Sequence, residues 1–209
     1  MKTTKAHPII LGITGAPDCG KTTTAQLLET HVHARVMAFS DAVYAEVAQA
    51  FDCNIIHFAQ RANMSRPLPM LALYHCMDSG FEQFASDTGM LCANTPSHIL
   101  QRWCDYRRAQ DADYWIKQIQ TRIAHYAAAG CSRPIVLPDV TTPTQAELVR
   151  SLGGTLWRID RPGICAPCQV EADLTLNNRG DISHLQHVVI TQWHELVRES
   201  FNASQVSRL

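Results

Sequence analysis

The segment Gly15-Ala-Pro-Asp-Cys-Gly-Lys-Thr22 brackets four residues between two glycines, then places a lysine and a hydroxyl. Glycines allow a turn tight enough for successive amides to surround an anion, and a helix beginning at the loop adds its positive end. The spacing is G-x-x-x-x-G-K-[ST], in which the lysine neutralises phosphate charge and the hydroxyl reaches a divalent cation. Gly15, Ala16, Asp18, Cys19, Gly20, Lys21, Thr22 and Thr23 are thus the candidate nucleotide-binding residues. Lys21 is expected on the β- and γ-phosphates and Thr22 on Mg²⁺. Pro17 removes one amide donor, and the Asp18 carboxylate would repel phosphate unless it faces Mg²⁺ or solvent.

Asp139 closes Ile135-Val-Leu-Pro-Asp, where a carboxylate either holds Mg²⁺, directly or through water, or merely caps a turn. Ser40-Asp41 stands where a strand gives way to a helix. There Asp41 could orient an acceptor and act as base, or serve only as a first-turn helix aspartate. Arg102, Arg107 and Arg108 cluster in one helical segment, with Arg61 and Arg66 earlier in the chain. Guanidinium forks suit phosphate, and Trp103 and Tyr106 could stack on a base, although any one of these arginines could instead line a solvated face. Arg158 and Arg161 frame Trp157–Pro162. Arg161 either closes on a transferring phosphoryl group or forms a structural salt bridge. Cys165-Ala-Pro-Cys168 has no second ligand pair that would complete a zinc site.

Positioning these residues requires a strand before the loop and a helix after it. Pro8–Ile13 reads as a strand buried on both faces, and Lys21–His31 as a helix. Arg35–Phe39 reads as a second strand with Ser40 as helix N-cap, and Val43, Val47 and Phe51 follow at helical spacing. Helices are expected at 68–77, 80–90, 97–109 and 112–129, with no strand before Ile135–Leu137. Thr142, Pro143 and Gln145 mark a capped helix start, and Gly153-Gly154 the stop. Strands at Thr155–Ile159 and Ala172–Leu176 and a helix at Ile182–Glu199 complete the pattern. Strands alternating with helices imply a parallel sheet covered on both faces.

The chain has 209 residues, enough for one domain with a real core. Its 46% hydrophobic content excludes a disordered chain, and a net charge of −1 excludes general attraction to nucleic acid. No apolar run suggests a membrane span. The 8 cysteines are too sparse for a disulfide scaffold, so reduced thiols and a cytoplasmic location are expected.

Several segments together resemble the phage-type deoxynucleoside monophosphate kinases. They are the loop, Ala38-Phe-Ser-Asp-Ala42, Ile99–Trp103 with Tyr106–Trp115, Val136-Leu-Pro-Asp-Val140, Gly153–Pro162 and Asn178-Arg-Gly-Asp181. The resemblance implies an α/β P-loop kinase fold with a five-stranded parallel sheet flanked by helices. The core would be 7–52 and 131–209, with a helical substrate-binding insertion at about 53–130 and a lid at about 161–171. It further implies ATP and Mg²⁺ as cofactors and transfer of the γ-phosphate to a deoxynucleoside 5′-monophosphate. Lys21, Asp41 and Arg161 would be catalytic, Thr22 and Asp139 would hold metal, and Ser40, Asp41, Arg61, Arg102, Arg107 and Arg108 would bind substrate. Asp41 also resembles the base of dephospho-coenzyme A kinases. The chain departs from the family at Asp18, Cys104-Asp105-Tyr106 and Thr141-Thr142. Two alternatives therefore stay open: a kinase for the hydroxymethyl group of 5-hydroxymethyluracil in phage DNA, and a non-catalytic nucleotide-binding module. Self-association into a homodimer also stays open.

Overall fold

The computed structural model describes residues 8–89, 94–164 and 170–206. The chain forms two compact units, Met1–Ala38 with Gln120–Leu209, and Phe39–Ile119.

The first unit is built on five parallel strands: β1 (Ile10–Thr14), β2 (Arg35–Val36), β3 (Ile135–Leu137), β4 (Thr155–Asp160) and β5 (Leu174–Asn177). Their order is β2-β3-β1-β4-β5, so β1 is central, and every β1 side chain is buried. Alternation along β1 divides it between two layers. Leu11 and Ile13 join Val136, Trp157, Ile159 and Leu176 against α1 (Lys21–Val32) and α8 (Ile182–Val206). On the other face a Cβ at Gly12 would meet Leu156, Val140 and Val149, the last from α7 (Pro143–Ser151). The α/β class and the flanked five-stranded parallel sheet are as the alternating pattern implies. No helix among the described residues is long and apolar enough to cross a membrane.

The second unit is helical: α2 (Ser40–Ala50), α3 (Ile56–Ala59), α4 (Ser79–Asp87), α5 (Pro96–Gln110) and the start of α6 (Tyr114–Ala128), inside which the division between units falls. Trp103, Phe58, Phe81, Leu71 and Ile99 are among its largest fully buried side chains.

Several boundaries differ from expectation. β2 stops at Val36, although Met37 N–H still donates to Val136 O at 2.9 Å. Ser40 is the first helical residue rather than the cap. Phe39 holds the cap position with helical dihedrals and no side-chain bond. The helix expected at 68–77 is two 3₁₀ turns, Pro69–Leu71 and Leu73–His75, separated by Ala72 in extended conformation. Proline after an extended Leu68 opens the first turn and prevents one continuous helix from running in. β5 begins at Leu174 because the preceding residues are held at its base: Arg150 donates to Glu171 O at 2.8 Å, and Leu156 N–H to Asp173 Oδ2 at 2.7 Å. Thr142 and Gln145 form the expected capping box on α7.

Gly153 and Gly154 end α7 for different reasons. Gly153 has φ 72° and open space around it, whereas a Cβ at Gly154 would stand 2.7 Å from Ile10 O and 2.9 Å from Val149 O. Gly154→Ala is expected to cost about 1–3 kcal/mol because backbone cannot yield. Gly153→Asn should cost only a few tenths, since asparagine tolerates the left-handed region. Urea unfolding checks this: only Gly154→Ala should lower the midpoint clearly, with the slope unchanged.

Candidate functional site

β1 leads directly into the loop and α1 directly out of it. Gly15 has φ 135° and Gly20 φ 114°, so both ends of the loop use backbone conformations that side chains rarely adopt. Asp18 is also left-handed, φ 64°, a conformation its short polar side chain tolerates, and it is exposed. α1 carries no acidic residue in its first turn, leaving its positive end unneutralised from within the helix.

Lys21 Nζ donates to Gly15 O at 2.9 Å and to Ala16 O at 2.6 Å, so the ammonium spans back from the end of the loop to its start. The Cys19 side chain is buried beneath. Burial pushes its thiol up, with Lys21 acting in the opposite direction, so it stays protonated at neutral pH and brings no negative charge to the loop. A Cβ at Gly15 would lie 2.5 Å from Ile159 O and 2.9 Å from Cys19 Sγ, so the loop is pressed onto β4. Thr22 is exposed at the start of α1, and Thr23 is half-buried.

The turn after β3 is tied to the same place. Val140 N–H donates to Ile13 O at 3.1 Å, which puts the half-buried Asp139 one residue from a bond to the strand feeding the loop. β1 and β3 are neighbours whose connections leave toward opposite sides of the sheet, the switch point where open α/β sheets bind ligands. Thr22 and Asp139 offer hard oxygen donors of the kind Mg²⁺ takes. Among the described residues there is no cluster of three or more His, Cys, Asp or Glu able to hold a metal alone.

Arg158 pairs in register with Thr14, and its guanidinium donates to Val170 O at 2.8 Å, tying β4 to the far end of the expected lid. Arg161 is exposed just beyond β4, in a turn closed by Ile164 N–H to Arg161 O at 3.1 Å. Cys165 and Cys168 lie outside the described residues, as does the middle of the expected lid, 165–169.

The residues expected on the acceptor side belong to the helical unit. Ser40 and Asp41 are half-buried in the first turn of α2. Arg61 opens a 3₁₀ turn, its side chain outside what is described, and Arg66 is exposed. Arg102 and Arg108 pair with Asp105 at 3.8 and 3.5 Å. Arg107 differs: its Nε donates to Glu46 at 2.8 Å, and its guanidinium lies over the rings of Trp103, Tyr106 and Tyr114 at 5.1–5.3 Å. Glu46 also accepts from Trp103 Nε1 at 2.8 Å and Tyr114 OH at 2.6 Å. The same network reaches Asp78, which accepts from Tyr106 OH at 3.2 Å and caps α4 through Phe81 N–H at 2.9 Å. Trp103 and Tyr106 are core side chains packed on Phe81, not exposed platforms for a base.

A cavity of about 470 Å³ lies beside this network, lined by Glu46, Asp78, Met77, Trp103 and Arg107 among others. Its charged groups already bond to one another, so the arrangement braces α2, α4 and α5. Burial, followed by the hydrogen bond to Glu46, pushes the Tyr114 hydroxyl up to about 12, so it remains a donor to that carboxylate.

Glu46 was not singled out from sequence, though a signal exists: it falls on the stripe Val43, Val47, Ala50, a charge among apolar neighbours at helical spacing. In the sequence Asn178 stands out only as part of Asn178-Arg-Gly-Asp181. Its side chain is buried and donates from Nδ2 to Cys19 O at 2.8 Å.

No protein-family model matches the chain, and no curated protein matches it. Among solved structures it is similar to TT1252 from Thermus thermophilus, at 18% identity and TM-score 0.49, covering 91% of this chain and 98% of that one. It is also similar to the Mycobacterium tuberculosis APS kinase CysC in complex with AMPPNP and APS, at 13% and 0.43, covering 90% and 99%. A putative kinase from Chloroflexus aurantiacus matches at 12% and 0.44, covering 93% and 98%.

Removing the carboxylate at Glu46→Ala would leave Arg107 Nε, an indole N–H and a hydroxyl without their acceptor, although Arg107 keeps Asp78 at 4.0 Å. The expected cost is about 2–4 kcal/mol, toward the lower end because the Glu46 and Arg107 side chains are 20% and 22% exposed. Glu46→Gln should cost less than Glu46→Ala, and Arg108→Ala should stay within about 0.5 kcal/mol. Denaturant unfolding of the three variants checks the order.

Proposed function

We propose that the protein is an ATP-dependent phosphotransferase acting on a deoxynucleoside 5′-monophosphate. The observation that carries the phosphotransferase part is the glycine-bounded loop between β1 and α1, crossed by the Lys21 ammonium, with Asp139 tied to the same strand. The choice of acceptor rests on the resemblance of the acceptor-side motifs.

In this reading the loop amides and Lys21 hold the donor phosphates, Lys21 exchanging the Gly15 and Ala16 carbonyls for phosphate oxygens. Thr22 and Asp139 would hold Mg²⁺, which when bound neutralises charge on the β- and γ-oxygens. The acceptor is assigned to the helical unit. Arg102 and Arg108 are better placed for phosphate than Arg107, because partly exposed pairs with Asp105 are cheaper to exchange than the Glu46 network. Asp41, with Ser40, orients the acceptor oxygen or takes its proton. That oxygen attacks the γ-phosphorus as the bond to the β–γ bridging oxygen breaks, and ADP leaves. Arg161 is assigned to the charge on the transferring group. Positioning and charge stabilisation supply the rate, as in other phosphoryl transfers.

Purified protein with labelled ATP and Mg²⁺ is tested against each deoxynucleoside monophosphate and against hydroxymethyluracil DNA. Label on a mononucleotide is expected. Label on DNA would replace the acceptor, and ATP binding without transfer would replace the enzyme with a binding module. Lys21→Ala should lower kcat/KM by about 100-fold or more, and Asp41→Asn should lower kcat by about the same factor. Unchanged transfer in Lys21→Ala would sink the phosphate-loop assignment.

A further inference from the structure

Asn178 follows β5 and is buried, yet its carboxamide bonds to a residue far away in sequence, in the loop after β1. Its own position is set from the other side, because Asn178 N–H donates to Asp160 O at 2.7 Å, extending the β4–β5 register in which Asp160 faces Asn177. The side chain therefore has a fixed base from which to reach the loop. There Nδ2 donates to Cys19 O, the carbonyl of the Cys19–Gly20 peptide, at 2.8 Å. A planar trans peptide directs its C=O and N–H to opposite sides. With the carbonyl held inward against Asn178, the Gly20 N–H is aimed away from the protein interior. The fit is steric as well: a Cβ at Gly20 would stand 2.7 Å from Asn178 Nδ2, and Gly20 adopts φ 114°.

We infer that Asn178 is a positioning residue for the phosphate loop, its carboxamide holding the Cys19–Gly20 peptide so that the Gly20 amide faces bound phosphate. The inference rests on the proposed function for the identity of the anion, but not for the geometry. Asn178 touches neither phosphate nor acceptor in this role; it acts through the peptide it holds. Without its donor, the peptide could rotate and present a carbonyl oxygen where a phosphate oxygen should sit, turning an attraction into a repulsion.

Asn178→Asp keeps the volume but sets a carboxylate oxygen against the Cys19 carbonyl, and Asn178→Ala removes the group altogether. The control is Asn177→Ala, at the exposed neighbouring position. Two readouts are taken on the whole protein. The first is amide hydrogen exchange of the segment Gly15–Lys21 without nucleotide, expected to speed up about tenfold or more in both Asn178 variants and to stay unchanged in the control. The second is AMPPNP affinity with Mg²⁺ by calorimetry, expected to fall about tenfold or more in the same variants, measured where urea unfolding shows each variant to be fully folded. Unchanged exchange in a folded Asn178→Asp protein would overturn the positioning role, whatever binds. Faster exchange with unchanged AMPPNP affinity would also overturn it, because the peptide would then be held without consequence for phosphate. If wild type bound no AMPPNP, the proposed function would fall, and affinity for inorganic tripolyphosphate would replace the second readout with the same expected loss. Should one of the two Asn178 variants fail to fold, the other decides alone.

Discussion

The candidate site depends on how closely the backbone of the loop after β1 can approach the ends of β4 and β5. At Gly15 the space that a side chain would need is filled by the Ile159 carbonyl and the Cys19 sulfur, and at Gly20 by the Asn178 carboxamide. Backbone pressed onto backbone leaves no room to relax, and both glycines also have positive φ. The two constraints act together: the chain must turn sharply and must do so against a surface already occupied. The outward side of the loop is consequently left to amides, to Lys21 and to the start of α1, which suits an anion.

Burial beneath the loop also sorts the charges. Cys19 is enclosed and stays a neutral thiol, while Asp18, the residue with the least favourable charge for phosphate, is turned out to solvent in a left-handed conformation. The carboxylate proposed to hold metal, Asp139, follows a different strand and is anchored through its neighbour Val140 to Ile13. A near-zero net charge over the chain hides this arrangement, because the positive and negative groups are separated by position rather than by number.

The helical unit shows the opposite use of polar groups. Glu46 gathers three donors, from Trp103, Arg107 and Tyr114, and the Asp78 carboxylate takes the Tyr106 hydroxyl and the Phe81 amide of α4. A carboxylate with several well-aligned partners is held in place much more strongly than one in an exposed i,i+3 pair. Three arginines of one helix therefore have two different fates. Arg107 is committed to stacking and bonding within the unit, whereas Arg102 and Arg108 share a partly exposed Asp105 that competes only weakly.

By itself the sequence determined the strand–loop–helix at the front of the chain, the capped start of α7, its glycine stop and the alternation that yields a parallel sheet. These are local matters, decided by glycine and proline dihedrals, side-chain caps and apolar period, all within reach along a few residues. It did not determine that Ser40 is helical rather than capping, or that residues 68–77 form two 3₁₀ turns, because packing and an extended Ala72 outweigh propensity there. Nor did it reveal that Trp103 and Tyr106 are core, although their spacing with Ile99 and Arg107 lies on one helical stripe. Only the tertiary structure joined Asn178 to Cys19 and Glu46 to Arg107, pairs separated by 159 and 61 positions. Such contacts follow from how strands and helices pack, and no local propensity records which distant donor a buried carbonyl or carboxylate will find.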